Sequence, residues 1–122
     1  MIEADRVTLL AGEPEIVVTP SASGQGQRIA RCPACRLAVW SNYAGAGELL
    51  RFVRVGTLDD PDLLPPDIHI FTASKQAWVV IPAGAPAVPE YYSRQQYWSA
   101  ESLQRYAVIR PRIEAYRAAN SR

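Results

Sequence analysis

Gln27-Arg28-Ile29-Ala30-Arg31-Cys32-Pro33-Ala34-Cys35-Arg36-Leu37-Ala38-Val39-Trp40 is the stretch that decides the fold. A β-type run enters the cysteine pair at Gln27–Arg31, and Leu37-Ala38-Val39-Trp40 leaves it as another strand. Cys32 closes the first strand and Cys35 opens the return, so Cys-Pro-Ala-Cys reads as a tight turn between antiparallel neighbours. Backbone N–H groups in such a turn point at the sulfurs and stabilise them as thiolates. The position after the second cysteine favours a left-handed backbone and is usually glycine; here it is Arg36.

These are the only cysteines in 122 residues. Two thiolates at this spacing grip one edge of a tetrahedral zinc ion, but a closed structural site needs four ligands. His69 is the only histidine. Three readings of the pair stay open: half of a zinc site, two buried cysteines without metal, and a redox pair. The redox reading wants the motif at the start of a helix in a thioredoxin-like unit, whereas strand-like residues come after it here. If metal is the ligand, Cys32 and Cys35 hold it, with sulfurs converging and no disulfide between them.

Outward from the turn, short strand signals dominate. Arg6–Leu10 and Glu15–Thr19 read as neighbouring strands joined through Gly12 and Pro14. Ser21–Gly26 is a loop. Leu49–Val55 is the strongest strand, with Arg51 and Arg54 at its wet positions. Gly56–Pro66 is a connection rich in Asp and Pro, and Ile68–Phe71 and Trp78–Ile81 read as two more strands. Ala83–Pro89 suits an extended surface linker. Ser99 then reads as an N-cap with Glu101 in the first turn. Leu103, Tyr106 and Ala107 come next at helical spacing, with Leu103 and Tyr106 expected to pack inward. Pro111 is expected to break that helix before a second piece over Arg112–Ala119. The chain thus reads as mainly β: a small antiparallel domain over residues 1–82, then an extended linker and helical extension over residues 83–122.

Composition narrows the function classes. Thirteen basic and 12 acidic residues nearly cancel, which argues against a nucleic-acid partner. No apolar run is long enough for a membrane span. No secretory signal is visible, so the expected compartment is the cytoplasm, where such a cysteine pair is metal-binding or redox rather than a staple. Lys75 is the only lysine against 12 arginines, with Ala and Pro abundant; this bias fits a GC-rich bacterial genome.

Other constellations have plain readings beside the functional ones. Asp59, Asp60, Asp62 and Asp67 could supply paired carboxylates or bind a hard cation, but Asp and Pro interleave wherever turns are needed. His69 could be a general base or a third zinc ligand, or a hydrogen-bonded strand residue at a pocket rim. Tyr91, Tyr92, Tyr97 and Trp98 bracket Arg94, either as a stacking surface for a ligand or as rings that pin the C-terminal extension to the β-domain.

Taken together, Arg31-Cys32-Pro33-Ala34-Cys35, Arg54-Val55-Gly56-Thr57-Leu58-Asp59-Asp60-Pro61, His69-Ile70-Phe71, Ser74-Lys75 and Trp78 resemble, in order and spacing, the glutathione-dependent formaldehyde-activating enzyme (GFA) family, also grouped with centromere protein V. The similarity runs from about Val7 to Ile81. It implies an Mss4-like fold, small antiparallel sheets around zinc. It also implies a carbon–sulfur lyase activity of the S-hydroxymethylglutathione synthase type on glutathione–aldehyde adducts. In the family pattern a C-x-C element and then a C-x-x-C-type element precede the pair that matches Cys32 and Cys35. That pair completes a four-cysteine structural zinc site with the first element, while the middle element holds a second zinc associated with the reaction.

The chain starts past both upstream elements, so the resemblance implies an N-terminally short member without the catalytic zinc ligands. The reading frame upstream of Met1 is expected to encode them. Zinc is then expected to be weak or absent in a monomer and catalysis absent. A homodimer that brings two turns together would restore a full ligand set, and glutathione or another small thiol is the expected small-molecule partner. The alternative is a non-catalytic zinc-binding or interaction module.

Overall fold

The computed structural model describes residues 1–120. It contains five strands, β1 (Ile2–Glu3), β2 (Glu15–Thr19), β3 (Gln27–Arg31), β4 (Ala38–Tyr43) and β5 (Leu50–Val53), then a short helix α1 (Arg94–Tyr97) and a long one, α2 (Ala100–Asn120). The strands form one antiparallel sheet in the order β1-β5-β4-β3-β2. The chain divides into two compact units, one built from Met1–Asp59 with the helix from Ala107 onward, the other from Asp60–Tyr106. No described helix is long and apolar enough to cross a membrane.

In the first unit, β2 and β3 pair from Glu15 opposite Arg31 to Thr19 opposite Gln27. Their connection turns through Gly24 and Gly26, both at positive φ, a conformation that costs glycine nothing. β3 then pairs with β4 from Gln27 opposite Tyr43 to Ala30 opposite Trp40, and the register slips by one residue between Ala30 and Arg31, at the mouth of the cysteine turn. Slips of this kind re-aim side chains where a ladder ends.

The core of this unit is Ile29, Ala30, Trp40, Ala46, Leu50, Ile109 and Ile113, with Ile113 only 1% exposed. Two buried polar residues sit among them and both are satisfied. Asn42 Nδ2 donates to the Leu50 carbonyl at 2.7 Å, and Ser41 Oγ accepts from Arg54 Nη2 at 3.0 Å. Arg51 lies over Trp40, 4.4 Å from the ring centroid. The long arm of this half-buried residue thus covers the core's largest ring while its Nη1 reaches the Val7 carbonyl.

Several expectations need correction. Arg6–Leu10 is not a strand: Ile2–Glu3 pairs with β5, Ala4–Arg6 makes a single 3-10 turn, and Leu10 is 94% exposed. The edge of β5 is already occupied, and β2 pairs with β3 rather than with the segment before it. Ile68–Phe71 and Trp78–Ile81 are not strands either. Among the described residues no ladder partner covers them, and Trp78 and Val80 stand 79% and 86% exposed.

The segment read as a linker, Ala83–Pro89, runs in hydrogen bonds along residues 69–73. His69 N–H donates to the Pro86 carbonyl at 2.8 Å, Val88 N–H to the His69 carbonyl at 2.9 Å and Thr72 N–H to the Val88 carbonyl at 3.2 Å. Pro82, Pro86 and Pro89 have no N–H to donate, so a regular ladder cannot form there. An isolated parallel bridge, His69 to Ala87, is all that remains.

The C-terminal helix is continuous through Pro111, in place of the expected break. Pro111 and Ala107, whose carbonyl loses its helical donor, are both exposed, so water can satisfy that carbonyl. Ile109 and Ile113 on the other face are buried and hold the helix straight enough to continue. Its start is as expected: the Ser102 N–H donates to Ser99 Oγ at 3.2 Å, capping the first turn. Leu103 and Tyr106 are half-buried.

Candidate functional site

The turn between β3 and β4 is closed by two backbone hydrogen bonds. Cys32 N–H donates to the Leu37 carbonyl and Arg36 N–H to the Cys32 carbonyl, both at 2.9 Å. The geometry requires a left-handed residue at its end, and Arg36 takes it with φ of 63°. For most side chains that conformation costs about 1 kcal/mol or more, and here tertiary contacts offset it. The Arg36 guanidinium pairs with the Glu15 carboxylate at the start of β2, and Arg31 Nη1 donates to the Arg36 carbonyl at 2.9 Å. Three residues from two strands and the turn thereby fix the loop that carries the cysteines.

Both cysteines are free; Cys32 is half-buried and Cys35 is exposed. The N–H of Cys35, then the N–H of Ala34 and the Cys35 thiol, face the Cys32 sulfur and hold its pKa below the usual thiol range; the small desolvation opposes this. Hydrogen bonding to the charged form of an acid is what lowers its pKa. The turn therefore surrounds Cys32 with donors that favour its charged form, next to the exposed Cys35.

The donor set stops there. Among the described residues no group of three or more His, Cys, Asp or Glu side chains comes together to hold a metal. Two sulfurs do not make the closed four-ligand site that structural zinc requires, so the described residues do not fit such a site.

The remaining candidates lie elsewhere. Asp59, Asp60, Asp62 and Asp67 are exposed around a 3-10 turn at Pro61–Leu63. His69 is half-buried with its backbone tied to Pro86 and Val88. In the second unit Arg94 lies within 4.6 Å of the Tyr106 ring, 5.5 Å of Trp98 and 5.7 Å of Tyr91. Trp98 Nε1 donates to Tyr92 Oη at 2.9 Å, and Tyr91 stacks on Tyr92. Burial raises the Tyr91 pKa, and Tyr92 raises it further against the pull of Arg94. The rings thus wrap a cation of their own chain.

Sequence reasoning misses two features. Glu15 reads locally as no more than the head of a strand, yet it anchors the turn; the two residues are 21 apart, and no local pattern links them. A groove of about 630 Å³ opens in the first unit between Asp5, Arg28, Glu48, Arg112 and Tyr116. Its rims carry one exposed ion pair, Arg28 with Glu48 at 3.2 Å, and a looser one, Arg112 with Asp5 at 3.9 Å. Gly47 at positive φ is the one signal for it, and a glycine there reads equally well as a plain turn former.

No curated protein and no solved structure matches the chain. The family model described as glutathione-dependent formaldehyde-activating enzyme matches residues 1–74, more than half of the 122. That span takes in the whole sheet, the cysteine turn, the Val55-Gly56-Thr57-Leu58-Asp59-Asp60-Pro61 segment and the His69-Ile70-Phe71 segment. The chain belongs to the glutathione-dependent formaldehyde-activating enzyme family.

Proposed function

We propose that this chain is a thiol-presenting β-module of the carbon–sulfur lyase type, built on the Mss4-like plan, that performs no turnover with the residues it carries. The family reaction joins a thiol to an aldehyde. The sulfur bonds to the carbonyl carbon and the thiol proton passes to the carbonyl oxygen, giving a hydroxymethyl thioether; the reverse step breaks the same carbon–sulfur bond. Such a step gains from a Lewis acid or a held thiolate. The observation that carries the reading is the donor count at Cys32 and Cys35: a prepared pair of sulfurs with no third ligand among the described residues.

Glutathione or another small thiol is the proposed partner and the cytoplasm the proposed compartment, since free thiols persist where the pool is reducing. The test tracks S-hydroxymethylglutathione by NMR exchange spectroscopy, with glutathione and formaldehyde at equilibrium and the zinc-supplemented chain added. The expected interconversion rate equals that of the protein-free mixture. A rate that rises in proportion to the chain, and falls with Cys32→Ser, would establish the active-lyase reading instead. The family match over residues 1–74 favours that second reading.

A further inference from the structure

We propose that the groove walled by helix α2 in the first unit binds a zwitterion of dipeptide size with apolar side chains. The proposal stands on this groove alone and does not rest on the cysteine turn.

Helical spacing builds one wall. Ile109, Arg112 and Tyr116 stand at i, i+3 and i+7, which puts them on one face of α2, and all three line the groove. Asp5 comes from the 3-10 turn after β1 and Glu48 from the one before β5. Arg28 comes from β3, where it pairs opposite Asn42. All six belong to one compact unit. The helical wall lies beyond residues 1–74, so the groove is not contained in the segment that the family model matches.

The floor is apolar and fixed. Ile109 is buried, and so is Gly47. The Tyr116 ring occupies the space that a side chain on Gly47 would take, so helix and turn close on each other there. The volume of about 630 Å³ lies inside the ~300–1,000 Å³ of small-molecule sites, in which an apolar lining holds the body and a few charged groups fix its orientation.

Charge decides the ligand class. The rim carries two cations, Arg28 and Arg112, and two carboxylates, Glu48 and Asp5. They cancel, so a plain anion or cation gains no net attraction. Arg28 Nη2 lies 3.2 Å from Glu48 Oε1, and Arg112 Nη1 lies 3.9 Å from Asp5 Oδ2, the second beyond hydrogen-bond reach. All four side chains are about half exposed or more, and ion pairs of that kind contribute little. A ligand can therefore take over one member of each pair at small cost. Its carboxylate suits the planar fork of Arg112, and its ammonium suits Glu48 or Asp5.

A ligand with opposite charges at its two ends and an apolar body between them matches rim and floor together. A single amino acid carries both charges on one carbon, whereas a dipeptide sets them at opposite ends. Glutathione has two carboxylates and no large apolar side chain, so it is the poorer ligand for this groove.

The experiment titrates L-leucyl-L-phenylalanine into the full chain by isothermal calorimetry. The expected result is one saturable site per chain. The N-acetylated peptide and the C-terminal amide are each expected to bind ~10-fold more weakly, as loss of a charge-assisted contact implies. Arg112→Gln and the Asp5→Asn/Glu48→Gln double variant are expected to weaken the parent peptide by a similar ~10-fold factor. Far-UV circular dichroism confirms that these surface variants keep the fold. Absence of saturable heat at millimolar peptide would overturn the site. Equal binding by the capped peptides, or by the charge variants, would overturn the zwitterion assignment. Glutathione binding as tightly as the dipeptide would overturn the apolar body. The Cys32→Ser/Cys35→Ser double variant should bind the dipeptide like the unaltered chain; a loss there would place the peptide at the turn and overturn the groove. None of these outcomes depends on whether thiol–aldehyde exchange is accelerated, so the two proposals fail separately.

Discussion

The ring of Tyr116 lies where a side chain on Gly47 would stand. A Cβ built on Gly47 falls 2.7 Å from Tyr116 Cε2 and 2.8 Å from its hydroxyl, and the glycine holds φ of 53°. Helix α2 and the turn before β5 therefore touch through the one residue type that leaves room.

Gly47→Ala is expected to destabilise the chain by about 2 kcal/mol: roughly half from the left-handed backbone and the rest from displacing the ring. Urea unfolding tracked by circular dichroism measures it. The Gly47→Ala/Tyr116→Ala pair separates the two contributions. With the ring gone, adding the alanine should cost only about 1 kcal/mol, so the cycle is non-additive. Additive losses would show that Tyr116 and Gly47 do not meet.

Arg36 makes a second test of backbone geometry. Arg36→Gly relieves the left-handed residue but removes the ion pair with Glu15. Both side chains are about half exposed, and exposed pairs contribute about 0–1 kcal/mol. The two effects nearly cancel, and a net change within about 1 kcal/mol of zero in urea is expected. Arg36→Ala keeps the backbone cost and loses the pair, so it should be the less stable of the two. Both variants lose the pair, so the reverse order would show that position 36 does not require the left-handed backbone.

The ease with which each element could be read depends on where its information lies. Strands β2 to β5 were legible because each pairs with a sequence neighbour and carries its own β-branched or aromatic residues. The left-handed position at Arg36 was legible because a two-residue link between cysteines dictates the backbone of the residue after the second one. β1 was not, being two residues long and defined only by its pairing with β5. Trp78–Ile81 has strand composition, but a strand also needs a partner, and composition cannot show its absence. The role of Glu15 is likewise tertiary, set by a fold that brings residues 15 and 36 together.

Pro111 offers a stability gain. It removes one helical hydrogen bond and crowds the carbonyl of Ala107, and a proline inside a helix costs about 3 kcal/mol against alanine. The site is exposed and lies outside the buried core. Pro111→Ala should therefore stabilise the chain by about 1–2 kcal/mol, part of the penalty being already relaxed. The melting temperature should rise with the far-UV signal of the folded state unchanged. A loss of stability would show that the proline shapes the helix to seat Ile109 and Ile113.

Cys32 should react as a thiolate at lower pH than an ordinary thiol because donors are aimed at its sulfur. Thiolate is the nucleophile, and hydrogen bonds from Cys35, Ala34 and the Cys35 thiol lower the Cys32 pKa from its ordinary value near 9.0. Iodoacetamide alkylation of Cys32, read by mass spectrometry across the neutral-to-alkaline range, should therefore reach its half-maximal rate below pH 9.0. Cys35→Ser keeps the two backbone donors and exchanges the thiol for a hydroxyl, so the profile should remain depressed.

The same shift fixes a sign for stability. A thiol whose pKa is lower in the folded than in the unfolded chain stabilises the fold fully above the unfolded value. That contribution is lost as pH falls through the folded one. The pH dependence of urea unfolding between those two points should accordingly flatten in Cys32→Ser. An alkylation midpoint at or above 9.0 for Cys32 would show that the turn does not hold its thiolate.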